Sequence, residues 1–220
     1  MKIVPRIFKS YAREISAEFL GKPFDFSKED WSKAQYLKKY PPVFSDQIHS
    51  DAVEIVETSG VYLGKDAFVT QKKNIPLLIK TADCIAALLF DPQTKTIAAV
   101  HAGWRGIAKC ILPKVIAVME GKFLVDSRNI LIALSPSIEL LEFTNPLAET
   151  PAFFHPFVNT EYQVDLWKIA KNQLCKNGIL EKHIEMPTFC TYTDPKKRFW
   201  SHRRGEAGRN GAIITLLSAI

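Results

Sequence analysis

Residues 81–106 read TADCIAALLFDPQTKTIAAVHAGWRG. Two apolar runs, Ile85 to Phe90 and Ile97 to His101, flank Asp91-Pro92-Gln93-Thr94, a string of turn formers, and the stretch therefore predicts a β-hairpin. Ala102-Gly103-Trp104-Arg105-Gly106 breaks the second strand. Ile107, Ile111, Val115, Val118 and Met119 then recur at helical spacing, with Pro113 either kinking that helix or occupying its first turn.

Working outward, Ala52 to Val56 and Ala67 to Val69 predict short strands, and Ile75 to Lys80 forms a compact apolar run with a proline near its start. The first 40 residues combine a strand-like opening, Lys2 to Phe8, with a polar stretch studded with aromatics, closed by Pro41-Pro42. Downstream, Ile130 to Leu134 predicts a strand and Leu166 to Lys176 a helix ended by Asn177-Gly178. Further strands are expected near Ile184 to Cys190 and Ala212 to Leu217. Mixed strands with helices around them indicate an α/β (mixed α+β) class, and 220 residues suit a single domain over 1–220.

Composition sets the outer limits. With 47% hydrophobic and 24% charged residues the chain can bury a real core, which excludes disorder, collagen and coiled coil. The longest apolar stretches, 85–90 and 211–220, fall short of the roughly 20 residues needed to cross a bilayer. The N-terminus intersperses its apolar residues with Lys2, Arg6, Lys9, Arg13 and Glu14, unlike a secretory signal, so a cytoplasmic protein with no membrane partner is expected. Cys84, Cys110, Cys175 and Cys190 lie too far apart in too large a chain to read as a disulfide framework. The net charge of +6 gathers toward the two ends, but no basic run exceeds Lys196-Lys197-Arg198, so the charge suits a small phosphate-binding pocket or a solvated surface equally, and no nucleic-acid partner is expected.

Three side chains could ligate a soft metal: His49 in QIHS, Cys84 in TADC and His101 in HAGWRG, each at a strand edge beside a small or turn residue. Their spacings match no short zinc-finger signature, and singly each has an ordinary packing role. If they converge, two imidazoles and a thiolate leave a fourth tetrahedral position open, the arrangement of a catalytic site. The same residues also serve a metal-free chemistry, with Cys84 as nucleophile, His101 or His49 as its base and Asp83 or another acid orienting the ring. Residue types do not choose between the two. Arg105 and the run Ser201-His202-Arg203-Arg204-Gly205 could form an oxyanion pocket, or merely a hydrated face. Trp104, Phe199 and Trp200 could stack on a planar ligand, or pack in the core, and Cys190 suits a structural role better than a reactive one.

These motifs resemble the YfiH-type family, long labelled laccase-domain or multicopper polyphenol oxidase. The family's central string runs TADC, strand, turn, strand, HAGWRG. QIHSDAV is similar to its Q-x-H-G segment, and CTYTDPKKRFWSHRRGEAGRNGAI to its C-T-Y, SxRR and GR ending. The likeness covers residues 45–220 as a laccase-domain-like core behind a divergent 1–40 lead-in. It implies a compact sandwich of mixed sheets flanked by helices, with zinc, or copper in the older reading, held by His49, Cys84 and His101. It further implies a purine nucleoside phosphorylase acting on adenosine, inosine, guanosine and methylthioadenosine, with adenosine deamination besides. A cysteine hydrolase using Cys84 and His101, or a nucleoside-binding protein that has lost catalysis, are the alternatives. On this reading Gln47, Arg105, Arg203 and Arg204 meet nucleoside and phosphate, Cys84 and His101 belong to the catalytic set, and Asp83 shuttles protons or supports the metal. Multicopper chemistry asks for about ten His ligands, and the chain has five His. The chain departs from the family at its N-terminus, where the Phe-Ser-Thr-Arg, Gly-Gly and Asn-Leu pattern does not align. It departs again at Ser135-Pro136-Ser137-Ile138, where the glycines of a Gly-Pro-x-Ile-Gly segment are missing, which makes it a divergent member.

Overall fold

The structure, a computed structural model, describes residues 1–28 and 35–218; positions 29–34 of the lead-in and the last two residues lie outside the described residues. Its strands are β1 Lys2–Ile3, β2 Ile15–Leu20, β3 Val43–Phe44, β4 Val53–Ile55, β5 Gly60–Val61, β6 Ala67–Thr70 and β7 Leu77–Thr81. They continue with β8 Ile85–Asp91, β9 Thr96–Ala102, β10 Leu131–Leu134, β11 Leu140–Glu142, β12 Gln163–Asp165, β13 Ile184–Glu185 and β14 Asn210–Leu216. The helices are α1 Gln35–Lys39, α2 Trp104–Ala108, α3 Ile111–Phe123, α4 Pro146–Glu149 and α5 Leu166–Lys176.

The expected hairpin is β8–β9, paired from Ile85 opposite Ala102 to Asp91 opposite Thr96. Its turn closes on the buried Asp91 carboxylate, which accepts from the Gln93 and Thr94 amides at 3.2 and 3.0 Å and from Thr94 Oγ1 at 2.7 Å. This is the self-capping that favours Asp at a turn. Every residue of both strands is buried, because the sheet is covered on both faces. Ile85, Ala87, Leu89, Ala98, Val100 and Ala102 pack with residues of α3 and α5, while Ala86, Leu88, Phe90, Ile97 and Ala99 pack against the other sheet. The two-residue side-chain period of a strand thus serves two cores at once.

Two six-stranded sheets face each other, in the orders β13-β10-β8-β9-β6-β4 and β1-β2-β14-β7-β3-β5. In the second sheet, β14 runs antiparallel between β2 and β7, which joins the two ends of the chain. The outer face of that sheet, with Leu20, Phe44, Leu78 and Ile213, is covered by Phe26 and Leu37. The architecture is a mixed α/β sandwich flanked by helices.

Several local expectations change. The opening strand stops at Ile3, because Pro5 cannot donate to a ladder, and Arg6–Tyr11 coils into a 3₁₀ helix. The strand expected near Ile184 to Cys190 ends at Glu185, and Pro187 lies just beyond. The helix after the hairpin begins earlier, at Trp104, and is split by Cys110 at φ +62°. Pro113 falls in the first turn of α3, where no intrahelical donor is needed. Helix α5 has the expected bounds, and its cap Asp165 accepts from the Lys168 amide at 2.9 Å. Among the described residues no helix is long and apolar enough to cross a membrane.

Leu88→Ala is expected to cost about 2–5 kcal/mol, because Leu88 is wholly buried between the sheets. Leu63→Ala, at a position 71% exposed, should stay within about 0.5 kcal/mol. Urea unfolding of the two variants checks both.

Candidate metal centre and cavity

The hairpin register itself brings sulfur and ring together. Ala86 lies opposite His101, so Cys84, two residues earlier, is a diagonal neighbour of His101 on the same face. His49 arrives from the loop before β4 in a left-handed conformation, φ +59°. Its Nε2 stands 3.7 Å from Cys84 Sγ, and its ring meets the His101 ring edge-on at 4.7 Å between centroids. One ligand atom from each of the three residues lies within 4.8 Å of the others.

Gly103 permits this convergence. A Cβ there would sit 2.9 Å from His49 Cδ2 and 3.0 Å from Cys84 Sγ, so a side chain would fill the cradle. One fully buried acid, Asp66, holds the His101 ring and the backbone of His49. His101 Nδ1 donates to Asp66 Oδ1 at 2.7 Å, and the same carboxylate accepts from the His49 amide at 3.2 Å, the Ser50 amide at 2.7 Å and Ser50 Oγ at 2.6 Å. The Asp66 carbonyl accepts from the His101 amide at 2.7 Å. A carboxylate behind a ligating imidazole fixes its tautomer and raises its basicity. Two nitrogens and a sulfur in a preformed cradle, backed by such an acid, could hold a metal ion.

Without metal the site is an ion pair. Burial alone would raise the Cys84 thiol, but the charge on His101 and hydrogen bonds with both rings outweigh it and hold the thiol down, at about 6. Burial would likewise lower His101, yet the Cys84 thiolate and the Asp66 carboxylate raise it to about 9. A depressed thiol is a nucleophile and a metal ligand at neutral pH.

A cavity of about 820 Å³ opens over these residues. Ile138, Leu141, Leu166 and Trp104 form an apolar part of its wall, while His202, Arg203 and Arg209 contribute polar groups. Arg105 is exposed, lines the cavity and stacks its guanidinium 4.5 Å over Trp104. Arg203 also lines the cavity, and its guanidinium pairs at 2.6 Å with the exposed Glu142. Gln47 lines the cavity at φ +49°, but its amide is engaged with the Lys80 backbone, donating to O and accepting from N, both at 2.8 Å.

Two expected roles need correction. Arg204 is absent from the cavity wall. It donates to the carbonyls of Thr191, Tyr192 and Phe199 and pairs with Glu206 at 2.9 Å, so it braces its own loop and has no fork to offer an anion. Asp83 orients neither ring; the ring-orienting acid is Asp66. Of the three expected stacking aromatics, only Trp104 lines the cavity. Phe199 is 2% exposed, and Trp200 spends its indole N–H on the Phe24 carbonyl at 2.7 Å. Asp66 went unread because nothing marks it except an acid placed just before the apolar run Ala67 to Val69. Lys80 and Arg209 also line the cavity: Lys80 stands just before the TADC string, and Arg209 lies within the recognisable ending as the arginine of its GR.

Metal-free protein should be alkylated at Cys84 with a pH midpoint near 6, the rate rising as the thiolate forms above it. Asp66→Asn, which weakens the charge on His101, should move that midpoint up toward the ordinary thiol value, as followed by iodoacetamide kinetics.

Comparison with known proteins bears on this geometry. A family model described as multi-copper polyphenol oxidoreductase laccase matches residues 28–217. A purine nucleoside phosphorylase of Clostridium acetobutylicum is 36% identical over 197 residues, covering 84% of this chain and 79% of the relative. One from Pseudomonas aeruginosa is 30% identical over 187 residues, 80% and 74% of the two chains. One from Bacteroides thetaiotaomicron is 29% identical over 158 residues, 66% of this chain and 58% of the relative, so this chain spans under two thirds of that protein's length. The crystal structure of the hypothetical protein YfiH of Bacillus licheniformis shares the fold, with a TM-score of 0.81 at 21% identity over 99% of this chain and 96% of that one. The family match thus takes in the hairpin, all three convergent donors and every cavity residue named above, and the chain belongs to the multi-copper polyphenol oxidoreductase laccase family of YfiH type.

Proposed function

We propose that the cavity binds a purine nucleoside together with inorganic phosphate and carries out phosphorolysis. The observation that supports this most is the meeting of His49, Cys84 and His101 in a cavity that also presents apolar and aromatic wall, Arg105 and Arg203. The names of the relatives point the same way. In the reaction a phosphate oxygen forms a bond to C1′, the C1′–N9 bond breaks, and its electron pair leaves with the purine, which takes up a proton.

Each part of the cavity has a task in that step. Arg105 and Arg203 hold the phosphate, an anion that a guanidinium fork can grip at two points. The Arg203–Glu142 pair is solvent-facing and weak, so phosphate can compete for the guanidinium. Trp104 and its apolar neighbours exclude water from the base and favour a planar ring. Adenosine, inosine, guanosine and methylthioadenosine are the substrates this reading names. His49, Cys84 and His101 would hold the metal, zinc in this reading with copper the older one, and Asp66 fixes the His101 ring through its Nδ1. A divalent ion held there supplies a Lewis acid and activates water, the chemistry that deamination of adenosine to inosine requires. The working place is the cytoplasm.

A second reading draws on the Cys84–His101–Asp66 chain, which has the arrangement of a nucleophile, a base and an orienting acid without any metal. A cysteine hydrolase of that kind keeps its activity in chelator and loses it on alkylation. A nucleoside-binding protein without catalysis retains tight nucleoside binding and shows no turnover.

Zinc-loaded protein given adenosine and phosphate is expected to release adenine and ribose 1-phosphate, with inosine where deamination operates; absence of all three products would falsify the enzymatic reading. His101→Ala should abolish both metal uptake and turnover, and Asp66→Asn should weaken metal binding about 10–100-fold, as followed by metal analysis and competition titration. Arg105→Ala should raise the KM for phosphate about tenfold, the loss of about 1.4 kcal/mol, and steady-state kinetics at varied phosphate measures it.

A further inference from the structure

Asp83 is the acid of the TADC string that neither the metal donors nor the phosphate contacts account for. It lies between β7 and β8 at φ +82° and is 8% exposed. One carboxylate oxygen accepts from Thr191 Oγ1 at 2.6 Å, and the other from Ser201 Oγ at 3.0 Å and the Arg203 amide at 2.8 Å. The Asp83 carbonyl accepts from the Ile138 amide at 2.8 Å. A single residue next to Cys84 therefore ties down three separate segments of chain, and Ile138 and Arg203 of those segments line the cavity.

The Asp83 carboxylate accepts all three bonds at once, two of them from fully buried hydroxyls. It is well suited to holding a loop in place. The bond to the Arg203 amide fixes the backbone of a cavity residue whose guanidinium is held at its other end by Glu142. We propose that Asp83 is a positioning residue that sets the affinity of the cavity for phosphate through Arg203, an inference that rests on the phosphorylase reading for its substrate.

Two substitutions separate holding from proton transfer. Asp83→Gly removes the carboxylate at a residue whose positive φ glycine adopts freely, so the backbone has no reason to rearrange. Asp83→Asn also tolerates this φ. Its oxygen can accept from Ser201 and Arg203 while its amide donates to the Thr191 hydroxyl, which accepts as readily as it donates. The Asn side chain thus restores the scaffold but cannot act as an acid or base.

In the zinc-loaded full chain, the Arg203 amide of the Gly variant should exchange its hydrogen about tenfold faster or more. The phosphate KM of that variant should rise about tenfold with a smaller change in kcat, and its metal content should be unchanged. The Asn variant should return both quantities to within about threefold of the starting protein, with the same pH–rate profile. Unchanged exchange at Arg203 in the Gly variant overturns the proposal. So does an Asn variant with a protected Arg203 amide but a kcat about tenfold or more below that of the starting protein, which would assign the proton to Asp83. If the starting protein phosphorolyses no purine nucleoside, the phosphorylase reading fails separately. Exchange at Arg203, together with inorganic phosphate binding by calorimetry in the three proteins, then still decides the role of Asp83.

Discussion

Ala86 lies opposite His101 in a hairpin that has no solvent-facing side. In a half-exposed sheet the alternation of apolar and polar residues selects the register, but here both faces are apolar and that pattern is silent. The choice falls to the turn, where the Asp91 carboxylate gathers the Gln93 and Thr94 donors and places Asp91 against Thr96. A slip by one residue would move Cys84 to the face away from His101 and exchange the side chains that fill the two cores. The donor cluster therefore depends on a hydrogen-bonded turn at the far end of the same two strands.

A second dependence runs through Asp66. Buried carboxylates are costly unless fully satisfied, and this one accepts from the His49 and Ser50 amides, the Ser50 hydroxyl and the His101 ring. The same bonds that satisfy the acid hold a loop and a strand of different origin at one point. Burial raises its pKa, but the hydrogen bonds from His101 and Ser50 win and keep it below the ordinary carboxylate range, so it is charged when the rings need it.

The centre of the molecule was legible in the sequence because its signals are local. The hairpin, its turn, strand β10 and helix α5 all follow from periodicity and punctuation within a few residues. His49, Cys84 and His101 could be named as donors, but their convergence depends on how β4, β6 and the hairpin sit side by side, which no spacing reveals. Asp66 and Asp83 show the limit most clearly. Both are acids next to apolar strands, and only the fold determines which one faces a ring and which one faces a loop. Arg204 was misread for a similar reason: a guanidinium can serve an anion or three backbone carbonyls, and its neighbours in the chain do not say which. Strand β2 is hard to read locally because Ile15–Leu20 carries Ser16 and Glu18 on one side, and its longer pairing, with β14, reaches almost 200 residues along the chain.

That partnership has a consequence for how the protein is made. The last strand sits inside its sheet, between β2 near the beginning of the chain and β7. While the polypeptide is still being synthesised, β2 and β7 have a gap between them and two unpaired edges, a state open to association with other nascent chains. The sheet can close only after residues 210–216 leave the ribosome, so this half of the sandwich stays open while the whole stretch between β2 and β14 is being made.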